Sequence, residues 1–150
     1  MISNKTKYAL LAMLHLAARF SSGEPVLAAE IAERESIPKK FLEVILLELK
    51  NKGLLLSRKG RGGGYLLARQ PGEITFGDVI RVFEGSMAPV VCVEPGRVAQ
   101  CPECQGTHSC AIRGVMRELY GAMVGVLDGA SLEQASEKKI RSECANMYFI

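Results

Sequence analysis

Apolar residues recur every three or four positions through the first 52 residues, and this spacing predicts three helices. The first, capped by Ser3 or Asn4, spans Ser3 to Phe20, the second Ala28 to Glu35, and the third Pro38 to Lys52. The residues expected to face the core are Leu10, Met13, Leu14, Ala17, Ile31, Ala32, Leu42, Ile45, Leu46 and Leu49. Because the second and third helices are short and joined by a tight turn, they predict a helix-turn-helix.

A glycine-rich hairpin is predicted directly after the third helix. Residues 54–58 and 65–69 have the composition of short strands, and the Lys-Gly-Arg-Gly-Gly-Gly segment connects them. Glycines allow a backbone to approach another surface closely, while Arg58, Lys59 and Arg61 bring positive charge to the tip. Together with the helix-turn-helix, the hairpin predicts a winged helix. A nucleotide-binding phosphate loop is excluded, because neither the strand, loop, helix order nor the Gly-Lys-Ser/Thr ending is present.

The second half of the chain is predicted to hold a long helix with an apolar seam. A capping box of Thr75 and Asp78 begins a preceding helix, which ends at Glu84. The long helix runs from Cys110 to Leu127, and its apolar positions alternate spacings of four and three. These are Ile112, Met116, Leu119, Met123 and Val126, widened by Val115, Tyr120, Val124 and Leu127. Such a width favours a dimer helix over a purely intramolecular core.

The chain is expected to divide into three segments. Residues 1–85 form the winged-helix DNA-binding unit, residues 86–109 a cysteine-rich sensor loop, and residues 110–150 the dimerisation helix and C-terminal tail. Ser131 and Gln134 begin a shorter helix within the last segment, and no element is predicted after Glu143. The fold class is therefore mainly α with a small β-hairpin wing. A chain of 150 residues excludes a large multi-domain enzyme.

Positive charge is concentrated in the first half of the chain. Residues 1–70 carry 12 Lys and Arg against 6 Asp and Glu, whereas residues 71–150 carry 7 against 10. This excess indicates a polyanionic partner, or else merely a solvated face. Arg19 interrupts the richest apolar run, which also lacks a signal cleavage site, so neither a membrane span nor secretion is expected. We therefore expect a soluble, cytoplasmic protein.

Four of the five cysteines lie within 19 residues, in a C-x8-C-x2-C-x5-C pattern. They are Cys92, Cys101, Cys104 and Cys110, whereas Cys144 stands apart. In a reducing cytosol, thiols clustered in this way more often bind metal or perform redox chemistry than form structural disulfides. His108 lies within the cluster as a weaker candidate ligand, and His15 is expected to be a packed or surface residue of its helix.

The order of these parts resembles the Rrf2 (BadM) family of winged-helix transcription regulators over about residues 1–135. The segments that carry the likeness are Lys7-Tyr8-Ala9-Leu10, Ile37 to Leu49, Gly60-Arg61-Gly62-Gly63-Gly64-Tyr65-Leu66-Leu67, Ile74 to Ile80, and the cysteine loop with its following helix. The glycine-rich wing followed by Tyr-Leu-Leu is the most specific of them. Members of the family sense iron-sulfur supply, nitric oxide or thiols.

This resemblance implies an iron-sulfur cluster, 2Fe-2S or 4Fe-4S, as the cofactor. Cluster-binding members commonly use a C-x5-C-x5-C pattern with a fourth ligand from elsewhere. In this chain only the gap from Cys104 to Cys110 matches, and Val98 occupies the place of the preceding cysteine. A complete set of four thiolates from Cys92, Cys101, Cys104 and Cys110 is the expected replacement. The alternatives are a zinc ion that staples the loop and a metal-free thiol switch.

The function implied is that of a homodimeric transcriptional repressor, not an enzyme, which reports iron-sulfur, redox or nitric-oxide status. The third helix is expected in the major groove of double-stranded DNA, with the wing on the backbone and minor groove of a near-palindromic operator. The expected DNA-binding residues are Lys39, Lys40, Glu43, Val44, Arg58, Lys59, Arg61, Gly62 and Gly63. A small iron-sulfur electron carrier is the alternative from another class, but it leaves the wing unexplained.

Overall fold

The structure is a computed structural model that describes residues 2–96 and 110–147, with side chains up to residue 141. Its helices are α1 Asn4–Ala18, α2 Ala28–Arg34, α3 Lys39–Asn51, α4 Phe76–Glu84, α5 Ala111–Gly129 and α6 Leu132–Met147. Strands β1 Leu55–Arg58 and β2 Gly64–Leu67 pair antiparallel. The predicted fold class is confirmed. Within the described ranges, no helix combines the length and apolar character needed to cross a membrane.

Helix α1 lies at the centre of the fold and packs against α3, α4, α6 and β2. Ile31 of α2, Leu42 and Leu46 of α3 and Val79 of α4 are fully buried in the same core. Leu132, the first residue of α6, is also fully buried there. The last helix of the chain therefore returns to the winged-helix unit and completes its core.

Capping side chains fix the helix starts that the sequence predicts. Ser3 accepts a hydrogen bond from the amide three residues later, at 3.2 Å. Asp78 donates its amide to Thr75 Oγ1, and Thr75 donates its amide to Asp78 Oδ2, each at 3.1 Å. Gln134 donates its amide to Ser131 Oγ at 3.3 Å. These bonds satisfy amide groups that have no partner within a first helical turn.

Several predicted boundaries differ from the structure. Helix α1 ends at Ala18, because a 3-10 turn over Phe20–Ser22 and the left-handed Gly23 redirect the chain. Pro38 is the residue before α3, with a ψ of 122° that lies outside the helical region, and not its first helical residue. Helix α6 continues to Met147, through the tail after Glu143 for which the sequence supports no prediction. The hairpin strands are shorter than predicted, although the Ala68 amide still donates to the Leu54 carbonyl at 3.0 Å.

The buried face of α1 is rotated from the predicted one. Met13 and Ala17 are buried as expected, together with Ala9, Ala12 and Leu16. The other two predicted core residues, at positions 10 and 14, are only half-buried. Helix α1 is contacted by α3, α4, α6 and β2 rather than along one stripe, so small alanines at close helix contacts are buried where the local pattern favours larger side chains.

Candidate nucleic-acid interface

The turn at Ser36 and Ile37 ends α2 and sets the direction in which α3 begins. The Ile37 amide donates to the Ala32 carbonyl at 2.9 Å, and the Ser36 amide donates to the Glu33 carbonyl at 3.4 Å. These bonds form a Schellman motif, in which Ser36 takes the left-handed position with a φ of +54°. Ile37 is then buried beneath the turn. The orientation of α3 is thus held by backbone bonds and by core packing.

Helix α3 has one buried face and one exposed face. Its buried face consists of the four leucine and isoleucine residues that the sequence predicts, Leu42, Ile45, Leu46 and Leu49, all at 0% exposure. The predicted DNA-binding residues of this helix are on the exposed side, namely Lys39, Lys40, Glu43 and Val44. One face therefore holds the helix in place and leaves the other accessible.

Two apolar residues of the exposed face were missed by the sequence analysis. Phe41 is 41% exposed and Leu47 51% exposed, on either side of Val44 at 50%. The signal that could have identified them is the spacing of three residues from Phe41 to Val44 to Leu47, each one position before or after a residue of the buried stripe and therefore on another face of the helix. Phe41 also packs edge-on against Tyr8 of α1, with ring centroids 5.9 Å apart. Apolar side chains on a reading helix suit contact with thymine methyl groups.

The wing is held in place by a residue outside the hairpin. Val26 donates to the Tyr65 carbonyl at 2.9 Å and accepts from the Tyr65 amide at 2.8 Å, which forms a single antiparallel β-bridge to the outer edge of β2. Gly64 makes this contact possible, because a Cβ there would lie 2.4 Å from the Val26 carbonyl oxygen. Gly63 is buried in the turn and donates to the Gly60 carbonyl at 3.0 Å. The glycines thus shape the wing from inside.

Unpaired positive charge is shared by α3 and the wing tip. Lys39, Lys40, Arg58, Lys59 and Arg61 are all exposed, and none of them makes an ion pair with another described residue. Elsewhere, Lys5, Arg81 and Lys139 are paired with carboxylates, as in the Lys5–Glu48 pair at 2.6 Å. Exposed cations without intramolecular partners are free to neutralise phosphates.

The cysteine segment, residues 86–110, is described only at its two ends. Cys92 lies in a 3-10 turn over Val91–Val93, Cys110 is the N-cap residue of α5, and both residues are half-buried. Arg113 Nε donates to the Cys92 carbonyl at 3.2 Å, so the turn packs against the first turn of α5. The predicted ligands Cys101 and Cys104, together with His108, lie outside the described residues. Among the residues described, no group of three metal-binding side chains is found.

Helix α5 buries no residue within the part of the chain that the structure describes. Ile112, Leu119 and Val126 are spaced by seven residues and are 67%, 51% and 70% exposed. Its base is fixed to the winged-helix unit, since Arg81 Nη2 of α4 donates to Asp128 Oδ2 at 2.7 Å. This hydrogen bond lowers the pKa of Asp128 and raises that of Arg81. An apolar stripe of this length therefore faces solvent in the single chain.

The carboxylate of Glu84 joins the end of α4 to the start of α1 through hydrogen bonds. Glu84 Oε1 accepts from the Ser3 amide at 2.9 Å, from Ser3 Oγ at 2.7 Å, and from Thr6 Oγ1. Hydrogen bonds from Thr6 and Ser3 lower the pKa of Glu84 from 4.5 to about 2. The end of α4, from which the chain continues into the cysteine-rich loop, is thus held against α1 while Glu84 is ionised.

Comparisons with known proteins agree with this geometry. Residues 2–138 match the Rrf2 family model, described as an iron-dependent transcriptional regulator. An rrf2-like transcriptional regulator of Rhodobacter capsulatus is 38% identical over 135 residues, which cover 89% of this chain and 90% of the relative. The transcriptional regulator IscR of Cronobacter sakazakii is 35% identical over 87% of this chain and 76% of its own length.

Solved structures give the same result. CymR, the global cysteine regulator of B. subtilis, has a TM-score of 0.77 and 31% identity, with 92% of this chain and 97% of that chain covered. IscR of T. potens has a TM-score of 0.72 and 31% identity, with 99% and 96% covered.

Proposed function

This chain belongs to the Rrf2 family of DNA-binding transcriptional regulators, and from this membership we propose that it is a homodimeric repressor of a near-palindromic operator. Helix α3 enters the major groove, and the wing follows the backbone and minor groove. The observation that carries the proposal is the set of five unpaired cations on α3 and the wing tip, above a helix face that is entirely buried. We expect DNA binding in the cytoplasm and no catalysis.

The predicted contacts divide into two classes with different tests. Lys39, Lys40, Arg58, Lys59 and Arg61 are the phosphate contacts, and the exposed backbone of Gly62 accompanies them, while Gly63 holds the turn. Glu43 and Val44, with Phe41 and Leu47, face the base edges from the exposed side of α3.

Fluorescence anisotropy with promoter duplexes tests the phosphate contacts. We expect Arg61→Ala to weaken binding to specific and unrelated duplexes alike, and to reduce the slope of log affinity against log salt by about 0.9. Lys138→Ala removes the same charge from an exposed position on α6 and is the matched control. If both variants keep the original slope, the wing does not contact phosphate.

The base contacts require a different readout. We expect Glu43→Ala to narrow the difference in affinity between operator and mismatched duplexes, because a carboxylate that accepts from cytosine N4 discriminates against other bases by about 1–3 kcal/mol. Unchanged discrimination would place Glu43 away from the base edges.

The exposed stripe of α5 supports the homodimer. Two copies of Ile112, Leu119 and Val126 can bury one another, whereas in the single chain each is more than half exposed. We expect Leu119→Glu to shift the protein to monomers in sedimentation velocity and to weaken operator binding. The control Glu118→Gln changes an exposed neighbour outside the seam and should remain dimeric. A dimeric Leu119→Glu variant contradicts the interface.

For sensing, we propose that Cys92, Cys101, Cys104 and Cys110 hold an iron-sulfur cluster. Thiolates are the ligands that such clusters normally use, and Cys92 and Cys110 both lie near the start of α5, to which the Arg113–Cys92 bond ties the preceding turn. When bound, the cluster supplies redox and ligand reactivity. Arg113 and the capping backbone of Cys110 then transmit the order of this segment to α5, which carries the proposed dimer stripe.

Anaerobic purification with absorbance spectra and iron, sulfide and zinc analysis tests the cofactor. We expect iron and sulfide in the intact protein and their loss on Cys104→Ser, while Cys144→Ser retains both. Zinc alone would support the stapled loop, and thiols without metal would support the thiol switch. Equal operator affinities of the cluster-bound and cluster-free proteins would remove the sensor proposal and leave DNA binding intact.

A further inference from the structure

A cavity of about 360 Å³ lies where α1, α2 and α6 meet, apart from both the cysteine segment and the exposed face of α3. Its apolar wall is formed by Leu14, Ala18 and Ile140. Its polar wall includes His15, Arg34, Glu35 and Lys139. A volume of this size is within the range of small-ligand sites, and far larger than the roughly 30 Å³ that one water molecule occupies in the liquid.

The acidic groups of this cavity are already paired. Glu35 accepts from Lys139 Nζ at 3.1 and 3.2 Å through its two carboxylate oxygens, and His15 Nδ1 lies 3.1 Å from Glu35 Oε1. The neighbouring Glu30 accepts from Arg19 Nη1 at 2.9 Å. Each carboxylate that faces this region is therefore matched by a cation from another helix or turn.

One positive charge at the cavity has no such partner. Arg34, the last residue of α2, lines the cavity and is exposed, and it forms no ion pair with any other residue in the described ranges. With Arg19 and Lys139 balanced by Glu30 and Glu35, Arg34 leaves the site with a net positive charge. A guanidinium offers paired N–H groups that match the two oxygens of a carboxylate.

We infer that this cavity, the α1–α2–α6 pocket, binds a small organic carboxylate with a short apolar chain. The carboxylate pairs with Arg34, and the chain lies against Leu14, Ala18 and Ile140. Inorganic anions leave this apolar wall uncovered, and neutral molecules leave Arg34 unpaired. The inference goes beyond DNA binding and does not depend on the cysteines, so its failure leaves the proposed function untouched.

The position of the pocket gives such a ligand access to the reading helix. Arg34 is followed by the Schellman turn that orients α3, and Lys139 belongs to α6, which packs on α1. A molecule bound between them contacts both the helix before α3 and the C-terminal helix. Its affinity can therefore differ between arrangements of α2 and α6 on the core.

Isothermal titration of the intact protein with hexanoate tests the inference, with hexanamide as the neutral analogue. We expect saturable binding of hexanoate and none of hexanamide. We expect Arg34→Ala to weaken hexanoate binding about tenfold or more, because the variant loses the charge-assisted hydrogen bonds to the carboxylate. Arg34→Lys should retain part of it. Lys138→Ala, an exposed residue of α6 that does not line the pocket, should match the original protein.

Three results would overturn the inference. They are the absence of saturable hexanoate binding, equal binding of hexanamide, and equal affinity of Arg34→Ala and the original protein. Thermal unfolding of each variant serves as the folding control, and Arg34 is exposed on the surface, so Arg34→Ala is expected to fold.

Discussion

Replacing Gly64 by alanine tests whether the wing depends on Val26. Gly64 has a φ of +149°, and a Cβ built there lies 2.4 Å from the Val26 carbonyl oxygen and 2.6 Å from its carbon. Those are backbone atoms, which cannot rotate aside as a side chain does. The Gly64→Ala protein must therefore separate Val26 from Tyr65 and lose the hydrogen bonds at 2.9 and 2.8 Å.

The magnitude follows from these losses. Two hydrogen bonds at about 1 kcal/mol each, with about 1–2 kcal/mol for a left-handed alanine, give a destabilisation of about 3–4 kcal/mol. Gly62→Ala is the matched control, because Gly62 has a φ of +75° but nothing within 4 Å of its added Cβ. We expect that variant to lose only the conformational part, about 1–2 kcal/mol.

Urea denaturation followed by circular dichroism, at equal protomer concentration, measures both variants. Operator binding by Gly64→Ala should also fall, because Arg58 and Arg61 are then carried by a wing that has lost its β-bridge to Val26. If Gly64→Ala and Gly62→Ala have the same free energy of unfolding, the contact with Val26 contributes nothing and the reasoning is wrong.

Three further predictions concern the rest of the fold. Ser36→Gly should raise the free energy of unfolding by about 1 kcal/mol in the same urea assay, because glycine adopts the left-handed φ of +54° without strain; an unchanged or lowered stability would contradict this. For Glu84, whose pKa is lowered to about 2, ionisation stabilises the folded protein above pH 4.5, and this contribution is lost as the pH falls towards 2. Urea unfolding at several pH values should therefore show the gap between the original protein and Glu84→Gln closing over that interval, and a constant gap would contradict it. Where α5 meets α6, Leu132→Ala should lower the free energy of unfolding by about 2–5 kcal/mol because it removes a fully buried side chain. Asp128→Ala should lower it by less than about 1 kcal/mol because the ion pair with Arg81 is 39–41% exposed. The reverse order would mean that the ion pair, and not burial, holds this region together.

Local signals in the sequence predict what depends on a few neighbouring residues. The caps at Ser3, Thr75 and Ser131 and the buried stripe of α3 are of this kind, and the structure confirms them. Each is decided within one or two helical turns, where the chemistry of a single side chain selects the backbone conformation.

What the sequence does not predict depends on contacts between distant segments. The buried face of α1 depends on its contacts with α3, α4, α6 and β2, which are distant in sequence, and Ala9 and Ala12 are buried in preference to larger neighbours. The strand contact of Val26 involves one residue and has no periodic pattern to detect. Arg34 is likewise an ordinary surface residue by sequence, and only the approach of α6 places it at a cavity.

On the dimer proposal, the glycines within α5 make the order of that helix depend on how abundant the protein is. Gly114, Gly121 and Gly125 interrupt a helix that buries none of its residues in the described chain, and each costs about 1 kcal/mol relative to alanine. The ordered form of α5 is then stabilised by packing against a second protomer, and the paired fraction rises with protein concentration. Dilution below the dissociation constant of this dimer during growth and division would then lower operator occupancy without any chemical signal. The number of copies per cell would itself regulate transcription.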